Sequence, residues 1–280
     1  MNKIIRLGFA ALLSLTSLSA LAEGGRVLYV EGQAYAVRGR DHVALEKDSA
    51  ILIGDSLVTG DRSKLQWAMD DNSLYAMSSN SNLTVDAFTL APSKATRAGG
   101  GSLVMSVLKG AFRTVSGFVG KRRNDDYRIN TPVATMGIRG TEYYSVYCND
   151  DCQARINKDG RVSLIKGAFV KVAGAAQVPN GLYIGVDRGI VTATNDGGSY
   201  EFRAGQYGYI ASRSKAPVLL EKRPGIFDAI FDSLRFNFDP GAIDRARGSN
   251  GDSGTGVTGS VNLPGLPGVT VKITNPPRVE

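Results

Sequence analysis

The chain has 280 residues, of which 42% are hydrophobic, 8% aromatic and 21% charged, and its formal net charge is +7. This composition is typical of a globular protein with one sizeable core, and it excludes a wholly disordered chain, a collagen and a coiled coil. The single histidine, His42, and the two cysteines, Cys148 and Cys152, exclude multi-histidine metal sites and zinc ribbons. We therefore expect neither a metal nor another cofactor.

The first 22 residues have the pattern of a secretory signal peptide. Lys3 and Arg6 precede an apolar stretch from Leu7 to Leu18, and Ala20-Leu21-Ala22 supplies the small residues of a cleavage site. The apolar stretch is shorter than the about 20 residues that a membrane span needs. We predict cleavage before Glu23, export to the periplasm or beyond, and no transmembrane span in the mature chain. An uncleaved anchor is the alternative.

Removal of the signal leaves 31 basic and 26 acidic residues, a net charge of +5. Outside the cytoplasm, a basic surface indicates acidic proteins, glycans or lipid headgroups as partners rather than nucleic acid. Six basic residues are concentrated in one stretch: Lys109, Arg113, Lys121, Arg122, Arg123 and Arg128. This cluster is interpreted as a solvated charged loop or, alternatively, as a docking patch for an anionic glycan or lipid.

Residues 23–215 are predicted to form one β domain. Short runs of β-branched and aromatic residues recur every eight to twelve residues between Gly, Asn, Asp and Ser. Clear examples are Val27 to Val37, Leu182 to Val186 and Ile190 to Thr194, and Asn195 to Gly198 is a strong turn signal. This spacing suits a sandwich, a barrel or a β-solenoid.

Cys148 and Cys152 lie four residues apart in a chain that is predicted to be exported. A local structural disulfide that pins a loop is the simplest interpretation. A redox-active pair is the alternative, but the CxxxC spacing and the lack of a helix start weaken it.

The composition changes after residue 215. Five apolar residues with helical spacing predict an amphipathic helix from Gly225 to Asp239 that covers a face or an end of the β domain, or less simply binds a membrane surface: Phe227, Ile230, Phe231, Leu234 and Phe238. We assign residues 216–247 to this C-terminal segment. Residues 248–280 are rich in Gly, Ser and Pro, and we predict a disordered tail.

No catalytic constellation is evident in the sequence. The acid pairs Asp70-Asp71, Asp125-Asp126 and Asp150-Asp151 lie in predicted turns, where Asp bonds to the backbone. Residues 254–259 spell GxGxxG, but they follow no strand and open no helix, so they lack the context of a dinucleotide site. We predict a protein that is not an enzyme.

Four short motifs then follow one another along the chain. They are Gly54 to Gly60 (GDSLVTG), Asp70 to Leu74 (DDNSL), Leu108 to Arg113 (LKGAFR) and Asn130 to Thr141 (NTPVATMGIRGT). Together they resemble the signature of the FecR domain family across about residues 26 to 145. Ala204-Gly205-Gln206 and the cysteine pair are similar to the downstream part of exported, stand-alone members of proteobacterial type.

The resemblance implies a mostly-β, FecR-type domain without catalytic activity, solenoid-like or sandwich-like in fold, that binds a protein partner in the envelope as an adaptor or scaffold. Signalling to a sigma factor is a further alternative. It is disfavoured because a predicted signal peptide stands where the family has a cytoplasmic segment and a membrane helix.

The last motif is predicted to be a structural corner formed by Thr131, Pro132, Gly137, Arg139, Gly140 and Thr141. Two glycines bracket Ile138-Arg139, and we expect the Arg139 guanidinium to hold several backbone carbonyls there. The alternative is that Arg139 is an exposed residue that contacts a partner.

Overall fold

The computed structural model describes a set of ranges separated by gaps: residues 22–90, 101–117, 119–121, 126–150, 152–156, 162–164, 176–237, 258–262 and 270–274. The predicted signal peptide, apart from Ala22, lies outside them.

The strands of the first half are β1 (Glu23–Glu31), β2 (Ala34–Arg38), β3 (Asp41–Ala44), β4 (Ala50–Leu52), β5 (Ser56–Thr59), β6 (Lys64–Met69), β7 (Leu74–Met77), β8 (Asn82–Leu90), β9 (Gly101–Val115) and β10 (Tyr127–Asn130). Those of the second half are β11 (Thr135–Cys148), β12 (Gln153–Ile156), β13 (Val162–Leu164), β14 (Ala176–Gln177), β15 (Gly181–Asn195), β16 (Gly198–Arg203), β17 (Tyr207–Ile210), β18 (Val218–Leu220), β19 (Thr258–Asn262) and β20 (Thr270–Thr274). One α-helix, α1, covers Gly225–Leu234, and a 3-10 turn covers Val119–Lys121.

Fifteen strands share one mixed sheet, so the expected mostly-β fold is confirmed. The longest path through it runs β18-β17-β15-β11-β10-β9-β7-β6-β1-β4, while β2, β3, β5, β8 and β16 branch from it. Within the described ranges β9–β10 is the one parallel pair of this sheet, and its other pairs are antiparallel. A β-solenoid stacks parallel coils, so this pairing rules out the solenoid that the sequence left open.

The sheet folds over on itself into two layers because three long strands, β9, β11 and β15, take part in both. The first residues of β9 pair with β8 and β10, whereas its last residues pair with β7 and β11. Val27 and Trp67 from one layer share a single hydrophobic core with Leu57 and Val85 from the other. The architecture is therefore sandwich-like, with a core between the layers.

Helix α1 lies on the outer face of one layer, as its amphipathic pattern predicted. Four of its apolar side chains are buried there against strand residues from β1, β6, β7, β9, β11 and β15: Ile226, Phe227, Ile230 and Leu234. We call the strands beneath it the helix-covered layer: β1, β4, β6, β7, β17 and β18, with the C-terminal halves of β9 and β11 and the N-terminal half of β15. The remaining strands of the sheet form the open layer: β2, β3, β5, β8, β10 and β16, with the other halves of the three long strands.

The helix ends at Leu234, five residues before the predicted end at Asp239. The chain turns extended at Arg235, whose carbonyl oxygen accepts hydrogen bonds from Lys64 Nζ and from Gln66 Nε2 (2.9 Å). The amide of Asn237 donates to Gln66 Oε1 (3.2 Å), so β6 captures this segment as an extended chain. Phe238, which was assigned to the apolar stripe, lies outside the described residues.

Two further differences concern the predicted domain limits. Strand β18 pairs with β17 beyond residue 215, so the boundary predicted there falls inside the sheet. β19 and β20 form an antiparallel pair within residues 248–280. The β-branched residues of TGSVN and TVKIT favour strands at these ten residues. No helix in the described part of the chain is long and apolar enough to cross a membrane.

Candidate functional site

The first sequence motif forms a buried ion pair at the turn between β4 and β5. Asp55 is fully buried and accepts hydrogen bonds from Arg38 Nε (2.8 Å), Arg38 Nη2 (3.0 Å) and the amide of Leu52 (2.9 Å). The hydrogen bond to Asp55 raises the pKa of Arg38. Thr59, later in the motif, donates to the Ser78 carbonyl and accepts from the Ser81 amide. Asp55 and Thr59 of this motif therefore each hold a turn in place.

The second motif connects the β6–β7 turn to the chain that follows β9. Asp71 accepts from the amides of Ser73 (2.9 Å) and Val119 (3.1 Å), and Ser73 Oγ accepts from the amide of Gly117 (3.1 Å). Asn72 has a positive φ of 63°, which asparagine tolerates better than most residues, so the turn forms without a glycine at this position.

The third motif contributes a second ion pair, at the edge of the helix. Arg113 and Glu142 are ion-paired and nearly buried, with 14% and 12% of their side chains exposed. The Arg113 guanidinium also lies over the rings of Tyr144 and Phe236, at 5.2 and 5.0 Å from their centroids. Glu142 accepts a further bond from Arg188 Nη2 (2.8 Å). Arg113 is thus an internal residue of the helix-covered layer.

The fourth motif is a β-bulge where β11 passes between the layers. The register of β11 against β15 shifts between Arg139 and Glu142, and Gly140 has a φ of +59°. Thr141 carries the hydrogen bonds: its Oγ1 accepts from the Arg139 amide (3.1 Å) and donates to the Ile190 carbonyl (2.8 Å). Gly189 has a φ of +77°, and a Cβ there would overlap the Gly140 carbonyl oxygen, so the bulge needs a glycine on both strands.

Thr131 and Pro132 form the turn between β10 and β11. Thr131 Oγ1 donates to the Ala134 carbonyl (2.7 Å) and accepts from the Ala134 amide (3.0 Å). Gly137 lies further along β11, opposite Arg128, and is half-buried.

Cys148 and Cys152 form the predicted disulfide. Both are fully buried, and they belong to the hydrophobic cluster that includes Ile226 and Phe227 of α1. The bond therefore lies within the packing of the helix-covered layer and does more than close a surface loop.

The outer face of the open layer has a different character. The strand registers align one residue from each of eight neighbouring strands in a single row: Val37, Ser56, Thr84, Ser106, Asn130, Thr135, Thr194 and Ser199. Seven of the eight are small, uncharged polar residues, and all are exposed or half-buried. Cross-strand hydrogen bonds join Ser56 to Thr84 (2.6 Å), Asn130 to Thr135 (3.1 Å) and Thr194 to Ser199 (2.8 Å).

Three arginines project from the same face beside this row. Arg139 is aligned with Ile190 and Arg203 across β11, β15 and β16. Arg128, on β10, lies opposite Gly137 of β11. Arg128, Arg139 and Arg203 are all exposed. We call these three residues, with Ile190 between them, the arginine face.

The described side chains of the predicted basic cluster, Lys109, Arg113 and Arg128, lie in different surroundings. Arg113 is nearly buried in its ion pair with Glu142. Lys109 is exposed on the central part of β9, and Arg128 belongs to the arginine face. Arg122 and Arg123 lie outside the described residues, and of Lys121 only the backbone is described. Elsewhere in the described ranges, no three His, Cys, Asp or Glu side chains lie close enough together to hold a metal ion.

Residues 55–169 match the family model described as FecR protein. The chain carries a FecR domain. No curated protein matches the chain. Two crystal structures, each described as "a putative anti-sigma factor from Parabacteroides distasonis ATCC 8503", are similar at 8% identity. One has a TM-score of 0.41 over 70% of this chain and 74% of that chain, and the other 0.40 over 69% and 71%.

The structure differs from the prediction for Arg139. Its side chain is exposed, and no hydrogen bond or ion pair of its guanidinium occurs among the described residues. Thr141 supplies the bonds that Arg139 was expected to supply, since a hydroxyl can both accept and donate within the narrow bulge. In this FecR domain the structural residues of the corner are Gly140 and Thr141, and Arg139 is a surface residue.

Sequence reasoning missed Arg203 and Ile190 as neighbours of Arg139. The signal was present in the alternation of the strands: Thr135, Gly137 and Arg139 occupy every second position of β11, as do Ile190, Thr192 and Thr194 of β15. Their alignment depends on the pairing of three strands, which the sequence does not state.

Proposed function

We propose that this protein is an exported, non-enzymatic FecR-domain protein that binds an envelope protein as an adaptor or scaffold. The observation that carries the proposal is the outer face of the open layer. The helix-covered layer is occupied by α1, whereas the open layer presents hydroxyl and amide side chains on seven of eight aligned strands. A flat, exposed sheet face of this extent offers a surface of the kind that protein partners bind.

The polar residues of the FecR motifs support the same proposal indirectly. Asp55, Asp71, Arg113 and Thr141 are engaged in hydrogen bonds or ion pairs that hold turns and strands. Because these side chains already have partners within the fold, we assign recognition to the surface between them.

Export is part of the proposal and has its own test. The basic n-region, the apolar stretch and Ala20-Leu21-Ala22 predict a mature chain that begins at Glu23. N-terminal sequencing of the protein recovered from the periplasm should start at Glu23, and material that starts at Met1 would contradict processing.

The binding role is tested by capture from envelope extracts on the immobilised mature chain. We expect one protein to be retained in stoichiometric amount and to co-elute with the chain in size-exclusion chromatography. Retention only of anionic polysaccharide or lipid, released by salt, would instead favour an anionic glycan or lipid binder. The same extract passed over a heat-denatured bait controls for nonspecific adsorption.

A further inference from the structure

We propose that the arginine face binds a protein partner that presents clustered carboxylates. This inference rests on the proposed function and assigns to it a surface and a partner chemistry. Arg128, Arg139 and Arg203 would act together, with Ile190 at the centre of the contact.

The spacing of the three arginines follows from the strand register. Arg139 and Arg203 are aligned on β11 and β16 with only Ile190 of β15 between them, which places their Cα atoms about 10 Å apart. Arg128 lies opposite Gly137, two residues before Arg139 on the neighbouring strand, about 8 Å from it. Three guanidinium groups can therefore reach one small area of a partner.

These groups are available for a partner. No hydrogen bond or ion pair of the Arg128 or Arg139 guanidinium occurs in the described part of the chain, and both side chains are exposed. Arg203 pairs with Glu201 at 3.2 Å, and side-chain exposures of 64% and 45% make this a solvated pair that contributes little. By contrast, Arg38 and Arg113 stabilise the fold through ion pairs with Asp55 and Glu142, respectively.

The chemistry of the face favours carboxylates on a protein. The guanidinium fork matches a carboxylate in two parallel hydrogen bonds, and arginine is enriched in protein interfaces. Ile190 gives the patch a half-buried apolar centre, and hydroxyls surround it at Thr192 and Thr194. The neighbouring outward positions of β10, β11, β15 and β16 carry no aromatic side chain for a sugar ring to stack on or for insertion into a bilayer.

A peptide of known charge tests the proposal directly. Binding of a fluorescein-labelled deca-glutamate peptide to the mature chain is measured by fluorescence anisotropy at low and at physiological salt. The variant R128Q/R139Q/R203Q should bind at least about tenfold more weakly, because each lost charge-assisted contact weakens binding. The control variant R26Q/R62Q/R213Q removes the same net charge from exposed arginines outside the face and should bind like the wild type.

The other outcomes overturn the proposal. Equal weakening in both variants would show attraction by net charge alone, and no measurable binding of the peptide by the wild type would remove the carboxylate preference. Binding of phosphatidylglycerol vesicles or heparin through the three arginines, without binding of the peptide, would assign the face to a lipid or glycan. If the arginine-face variant still captures the wild-type partner from envelope extracts, the proposed function stands and this surface is not its site.

Discussion

The two outer faces of the sandwich belong to layers that share one core, yet they have opposite compositions. Beneath α1 the outward positions are apolar: Leu28, Leu74, Ala76, Tyr144 and Val146. On the open layer the corresponding positions carry Ser, Thr, Asn and Arg. Strands that are buried on both sides, such as β6 and β7, lose the alternation of polar and apolar residues, whereas strands of the open layer keep it. The difference teaches that α1 buries one outer face, so the surface left for recognition lies on the opposite layer.

The bulge at Gly140 and Gly189 explains how one strand pair serves both layers. The extra residue in β11 reverses which side chains point inward: Met136 and Ile138 face the core before the bulge, and Tyr143 and Tyr147 face it after. The bulge thus allows Arg139 to face solvent on one layer while Tyr144, on the outer face of the other, packs under the helix.

The largest effect should come from removing the helix contact. Phe227→Ala deletes a side chain that is 2% exposed and packs near Tyr144 and Tyr207, so it should lower the free energy of unfolding by about 3–5 kcal/mol. The matched control Phe231→Ala, at 37% exposure on the same helix, should cost clearly less. Chemical denaturation measures both. Equal losses would show that the helix does not dock through its Phe227 face.

Alkaline pH should weaken the core between the layers. Burial raises the pKa of Tyr143 to about 12, and it also raises the pKa values of Tyr75 and Tyr127, whose hydroxyls lie 3.1 Å apart. The fold favours the neutral phenols, so their contribution is complete below the unfolded pKa of about 10 and is lost as the pH rises towards the folded values. For Tyr143 the loss should approach about 2–3 kcal/mol near pH 12.

The measurement is the free energy of unfolding as a function of pH for the wild type and for Tyr143→Phe. The variant should show a shallower decline above about pH 10, since the phenylalanine cannot ionise. Identical slopes would mean that the pKa of Tyr143 is the same in the folded and the unfolded state. The burial of its hydroxyl would then not be maintained.

The bulge between the layers should depend on a hydroxyl. Thr141 is 2% exposed, and Thr141→Val keeps its shape but leaves the Arg139 amide and the Ile190 carbonyl without their partner. Unfolding free energy should fall by about 1–3 kcal/mol. Thr141→Ser retains the hydroxyl and should recover most of the loss. A valine variant as stable as the wild type would show that the bulge is held by its glycines alone.

The sequence predicted the β class, the disulfide, the covering helix and the positions of the structural corners. These follow from local patterns: alternation, helical periodicity, cysteine spacing and the motifs of the FecR family. It did not predict that the helix would stop at Leu234, because the residues that hold Arg235 extended, Lys64 and Gln66, are about 170 positions away in β6.

The roles of the arginines could not be assigned from the sequence for a similar reason. Arg113 and Arg139 both lie in family motifs that contain glycines. Arg113 reaches Glu142 only because β9 and β11 pair in a register that places Tyr144 opposite Arg113 and Glu142 two residues further along β11. Arg139 has no such neighbour on β15, where Ile190 stands opposite. The pairing of distant strands decides which arginine is structural.

The smallest effect should follow substitution on the arginine face, and it distinguishes the two layers most directly. Arg139→Ala removes an exposed side chain without a hydrogen bond in the described ranges, so the free energy of unfolding should change by less than about 0.5 kcal/mol. Arg113→Ala is the matched substitution on the helix-covered layer. It leaves Glu142 without its nearly buried partner and removes the contacts with Tyr144 and Phe236, so it should cost about 1.5–3 kcal/mol. Thermal and denaturant unfolding of both variants at one pH and salt concentration give the comparison. A stability loss for Arg139→Ala as large as that for Arg113→Ala would show that Arg139 stabilises the fold, and would remove it from the surface proposed for binding. A stable Arg139→Ala variant with weakened peptide binding would place recognition on the open layer.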